Sequence, residues 1–181
     1  MTLKTRALPG MLAVLLATCA LQVQAAQPPD AMPAAIGHYV FIPASTFVPR
    51  DSSAVYQYVG GGCVSAPRGA DFVHKLILPQ GSVLRYVRSY YKDASANTLT
   101  VYVTRYDAAG ALVDVGSVTS ADGSGYTSGL SADMNYTVDA YNQAYVVNAR
   151  TVANADNVFK DGFDGIDASL VFCGVRVLYD L

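Results

Sequence analysis

Between Thr98 and Asp107 the chain reads TLTVYVTRYD, with Leu99, Val101 and Val103 alternating against Thr100, Tyr102 and Thr104. This is the two-residue period of a strand with one apolar face; on a helix the same residues would scatter around the axis. Further short runs of this kind follow one another along the chain: HYVFIPA (38–44), AVYQYV (54–59), FVHKLILP (72–79), SVLRYVRSYYKD (82–93), AAGALVDVGSV (108–118), NYTVDAYNQAYVVNARTV (135–152) and ASLVFCGVRVLYDL (168–181). Gly, Pro, Asn and Asp punctuate them, which is the chemistry of turns. The acidic residues point the same way. All fourteen are Asp and none is Glu, and Asp favours caps and turns where Glu favours helix interiors.

The expected fold is therefore all-β, an antiparallel β-sandwich, jelly-roll-like or Greek-key, of about 8–10 strands. Residues 82–93 and 98–107, joined by ASAN, have the length and pattern of a hairpin. TSADGSGYTSGLSAD (119–133) reads as a long small-polar loop, and the last run should place Val171, Cys173, Val175 and Val177 on one face.

The N-terminal residues 1–25 read as a signal peptide. Lys4 and Arg6 precede the apolar run GMLAVLLATCAL, and VQA places a cut most simply after Ala25. The run is shorter than the roughly 20 residues of a membrane span, so no transmembrane segment is expected in the mature chain. LATC approaches a lipoprotein signal, but Thr18 stands where a small residue should precede Cys19, which argues against an anchor there. The expected address is secreted or periplasmic. Residues 26–37 are Pro/Ala-rich and aperiodic, a flexible lead-in, and 38–181 form a single domain. The mature chain keeps 10 basic residues against 14 acidic ones, an imbalance that disfavours nucleic acid as a partner.

Cys63 and Cys173 remain after processing. In an exported protein an isolated pair is most simply a disulfide, with a metal pair or free thiols as alternatives that no neighbouring residue supports. Closing a loop of about 110 residues stabilises by roughly 4–5 kcal/mol in the chain-entropy model.

Taken together, YVFIPASTFVPRDSS, YVGGGC, LILPQGSVLRYVRSYYKD, VYVTRYDAAG and CGVRVLY resemble a family of exported bacterial single-domain β-sandwich proteins of unassigned function. The anchors are Leu78, Pro79 and Gly81, the YYKD strand end, and the Cys63/Cys173 pair. The resemblance implies a fold and an address and brings no catalytic residues. NVFKDGFD also resembles an IFxDGFE-type tail of exported proteins, although a cysteine-bearing strand follows it here and Asp164 replaces Glu.

Candidate chemistry is sparse. His38 and His74 are the only histidines, and no Gly-x-Ser-x-Gly elbow accompanies them. The Asp residues gather in turns, and the absence of Glu and Trp removes common members of sugar-cleaving sites. Asp161, Asp164 and Asp167, in DNVFKDGFDGID, are a weak calcium candidate, since the alternating ligands and the final bidentate Glu of a calcium loop are missing. Zinc lacks ligands, and no cofactor is expected. The candidate binding face comprises Tyr86, Arg88 and Tyr90 on one strand with Tyr102 and Tyr106 on its hairpin partner, because aligned tyrosines with an arginine can stack on sugar rings or anchor a protein. The function expected from sequence is an exported non-catalytic binding or surface-interaction module for a glycan or a protein. A small cell-envelope hydrolase and an inhibitor or immunity-type partner of an exported enzyme are the alternatives.

Overall fold

The computed structural model describes residues 37–65, 70–152 and 169–181. The expected signal peptide, Cys19, nearly all of the expected lead-in and the aspartates Asp161, Asp164 and Asp167 lie outside the described residues.

Among the described residues twelve strands form: β1 (His38–Pro43), β2 (Val48–Pro49), β3 (Gln57–Gly60), β4 (Cys63–Ser65), β5 (Asp71–Leu76), β6 (Val83–Asp93), β7 (Thr98–Asp107), β8 (Leu112–Thr119), β9 (Gly123–Leu130), β10 (Tyr136–Thr137), β11 (Gln143–Val152) and β12 (Leu170–Asp180). This exceeds the expected number because β2 and β10 are two-residue edge strands and because β9 arises within the segment read as a loop. Five glycines and serines of β9 conceal its period, but Gly129 faces the core, where a Cβ would strike Val118. No helix among the described residues is long and apolar enough to cross a membrane.

All strand pairs are antiparallel. The first sheet runs β10-β6-β12-β4-β3, with β9 also on β6 and β1 also on β12; the second runs β2-β5-β11-β7-β8. Val87, Tyr91, Val175 and Val177 of the first sheet share one core with Phe72, Val101, Val103, Val147 and Ala149 of the second. Each such side chain contributes about 1.5–3 kcal/mol of transfer free energy when fully buried.

The expected hairpin of β6 and β7 does not form. β6 pairs with β9, β10 and β12, whereas β7 pairs with β8 and β11, so residues 94–97 carry the chain from one layer to the other. The crossing is stabilised by its own side chains. Ser95 N–H donates to Asp93 Oδ1 at 3.3 Å, and Asn97 N–H donates to Ser95 Oγ at 2.9 Å. These bonds satisfy backbone groups that a hairpin ladder would otherwise serve.

β12 also departs from strict alternation. Its register against β6 shifts between Phe172 and Gly174, so Phe172, rather than Val171 or Cys173, joins Val175 and Val177 in the core. This β-bulge sits beside the Cys63–Cys173 disulfide, which links β4 to β12 across 110 residues. Gly174 has φ +131°, and a Cβ there would run into the Ile42 carbonyl oxygen and the Pro43 backbone of β1. Gly174→Ala is expected to destabilise the protein by about 1–3 kcal/mol in urea unfolding; an unchanged midpoint would show that β1 yields freely.

At one end of the sandwich, Tyr145 is buried in the core. Its hydroxyl accepts the Asp139 N–H at 2.9 Å and donates to Gln143 Oε1 at 2.7 Å. Burial pushes its pKa up to about 12. A raised folded-state pKa means that stability is fully present below the ordinary tyrosine value near 10 and is lost as pH rises towards 12. Thermal melts across that alkaline window should fall steeply in the wild type and more shallowly in Tyr145→Phe.

Candidate functional site

Because β6 and β7 lie in different layers, the five residues of the expected binding face divide between the two outer surfaces of the sandwich. Tyr86, Arg88 and Tyr90 share the outer face of the first sheet. There Arg88 is nearly buried and its Nη1 donates to Ser128 Oγ at 2.9 Å. The Tyr90 ring takes the Arg176 guanidinium 5.6 Å from its centroid and the edge of Phe41 at 5.9 Å. Phe41 and Tyr126 stand exposed on this face and give it aromatic area.

Tyr102 and Tyr106 lie on the outer face of the second sheet, where a cleft of about 120 Å³ opens. Arg50, Tyr102, Thr104, Tyr106, Leu112, Asp114, Asn148 and Arg150 line it. The strand periods and registers place them. Leu99, Val101 and Val103 face the core, which turns Tyr102, Thr104 and Tyr106 outward. Across the ladders, Asn148 lies opposite Tyr102, Asp114 opposite Thr104, and Leu112 opposite Tyr106. Arg150 lies between Asp71 on one side and Thr100 on the other.

A short polar chain forms the floor. The Thr104 hydroxyl donates to Asp114 Oδ1 at 2.6 Å and accepts from Asn148 Nδ2 at 2.7 Å. That order fixes the amide, because the hydroxyl's single proton goes to the carboxylate and only the NH₂ end of Asn148 can then face Thr104. Asn148 Oδ1 is left buried with no partner among the described residues, on a residue only 4% exposed. An orphaned buried acceptor costs about 1–3 kcal/mol.

One wall is cationic. Arg150 Nη2 and Arg50 Nη1 approach the same oxygen, Asp71 Oδ2, at 3.2 and 3.3 Å. The Arg150 guanidinium also lies 5.6 Å from the Tyr102 ring centroid. Tyr102 therefore presents a supported guanidinium rather than a bare ring, and the cleft's other tyrosine, Tyr106, stands beside Leu112. The sequence signal for Tyr102 and Tyr106 was their period; Asn148, Arg150, Arg50 and Asp114 come from three other segments and no spacing connects them.

The histidines lie elsewhere. His74 faces inward from β5, opposite Val147, with Nδ1 3.0 Å from the Thr46 carbonyl oxygen and its ring 5.3 Å from that of Phe47. His38 stacks on Tyr179 at 5.5 Å. No cluster of three or more His, Cys, Asp or Glu able to hold a metal occurs among the described residues.

No family model and no curated protein sequence matches this chain. Solved structures with a similar backbone include the C-terminal CBM6 of LamC, a marine laminarinase from Zobellia galactanivorans. It is 12% identical with a TM-score of 0.49, and the match covers 77% of this chain and 98% of that one. CsCBM6-3 from Clostridium stercorarium, in complex with cellobiose, is 14% identical with a TM-score of 0.46, covering 77% and 92%. A carbohydrate-binding module CBM36, in complex with calcium and xylotriose, is 11% identical with a TM-score of 0.47, covering 77% and 98%. At these identities and scores, what the cleft does follows from its own side chains.

The orphaned acceptor yields a stability prediction. In Asn148→Val the buried carbonyl disappears and the Thr104–Asp114 bond survives, so urea unfolding should show a change within about 1 kcal/mol, of either sign. A loss of several kcal/mol would make the amide a structural element instead.

Proposed function

We propose that this protein is an exported, non-catalytic module that binds a glycan in the cleft on the outer face of its second sheet. One observation carries the reading: the outer face of the second sheet opens a polar cleft, and Asn148 in its lining keeps a buried Oδ1 with no hydrogen-bond donor among the described residues. A sugar hydroxyl supplies such a donor once the lining yields enough to admit it. The remaining lining fits the same ligand class. Asp114 and the arginines offer an acceptor and donors to further hydroxyls, and Tyr106 with Leu112 offers apolar area to the C–H face of a sugar ring.

The non-catalytic part of the reading rests on where the titratable groups are held. Within the cleft wall Asp114 is bonded by Thr104, and Asp71 beside it is shared by two arginines. His74 faces the opposite side of its sheet. This disfavours both the paired-carboxylate and the nucleophile–histidine routes.

Calorimetric titration with soluble β-glucan, xylan and galacturonan fragments tests the proposal. At least one should bind, and Asn148→Val or Tyr106→Ala should weaken it about tenfold or more while the melting temperature holds. Tyr86→Ala, on the opposite layer, should leave binding unchanged. Absence of binding to all three polymers, or equal binding by the cleft variants, would overturn it.

A further inference from the structure

The cleft is not uniform along its length, and the distribution of its charges bears on which glycan it takes. At one end stand Arg50 and Arg150, two guanidinium groups that share a single carboxylate oxygen of Asp71. Asp71 is not part of the cleft wall, so the surface presented there is cationic by one charge. At the other side lies Asp114, two strands across from Arg150 and four ladder positions along. Strand spacings place these two backbones about 16 Å apart. The cleft is thus dipolar, with donors at one end and the acceptors Asp114 and Asn148 Oδ1 towards the other.

Resting on the glycan-binding reading above, the geometry points to a ligand that carries a carboxylate: an acidic, uronate-containing glycan, with its carboxylate on the Arg50/Arg150 end and its hydroxyls on Asn148 and Asp114. A neutral sugar would satisfy the acceptors but would leave the surplus cation unanswered. A uronate answers both ends with one molecule. The arginine is also prepared for this task. Arg150 is positioned by Tyr102 against its face and by Asp71 at one edge, which reduces the side-chain entropy lost on binding and leaves N–H groups for a planar acceptor. A carboxylate matches that planar fork in a way that a hydroxyl does not.

The test compares two ligands that differ only in this charge: oligogalacturonate and its methyl ester, titrated calorimetrically against the full protein, with a neutral β-glucan oligomer as a third arm. The acid should bind about tenfold more tightly than the ester, because a hydrogen bond to a charged group contributes more than one between neutral groups. The preference should shrink with added salt. Arg150→Gln and, separately, Arg50→Gln should each bring the acid-to-ester ratio towards one; both arginines are exposed at the cleft wall, so neither change opens the core. Equal affinity for acid and ester, or tighter binding of neutral glucan, would overturn the inference and leave the glycan reading standing. No binding in any arm would remove the inference, and with no binding to xylan either, the glycan reading as well.

Discussion

The pairing of β12 with both of its neighbours holds the first sheet together. On one side it runs along β6 for nearly its full length, and on the other it takes β1 and β4 in succession. Every one of these contacts joins residues far apart in the chain, and the disulfide to Cys63 adds a covalent link to the same strand. Loop-closure entropy must be met before such pairings stabilise anything. The first sheet therefore cannot be complete until the last strand arrives, and the bulge at Gly174 is the local adjustment that lets β12 lie against β1 while its disulfide closes.

Much of this architecture was legible in the residues. The alternation in β7 correctly separated Leu99, Val101 and Val103 from the outward Thr100, Tyr102 and Thr104, because side-chain period is a property of the backbone itself. What alternation cannot report is which strand lies alongside. A hairpin and a crossing between layers impose the same period on β6 and β7, and the difference is decided by Asp93, Ser95 and Asn97 bonding within the turn. Position 173 failed for a related reason: a one-residue bulge exchanges the two faces of a strand, and no apolar pattern announces it. β9 was missed because Gly and Ser dominate it, and its place depends on Gly129 fitting closely under Val118.

The cleft shows the same division. Tyr102 and Tyr106 could be read from one strand, whereas Asn148 acquires its meaning only through Thr104 and Asp114. The amide's orientation, and with it the orphaned oxygen, is set by a proton count across three residues from three strands. A fold selected for stability alone would fill such a position with an apolar side chain.

The passage of residues 94–97 from one layer to the other has one more consequence. It sets the Tyr90–Arg176–Phe41 surface and the Arg150–Asn148–Tyr106 cleft back to back, with the whole core between them. A molecule seated in one is screened from the other, so the two surfaces are mechanically and chemically independent. The protein is in effect two-sided, an aromatic layer on one outer face and a polar cleft on the other.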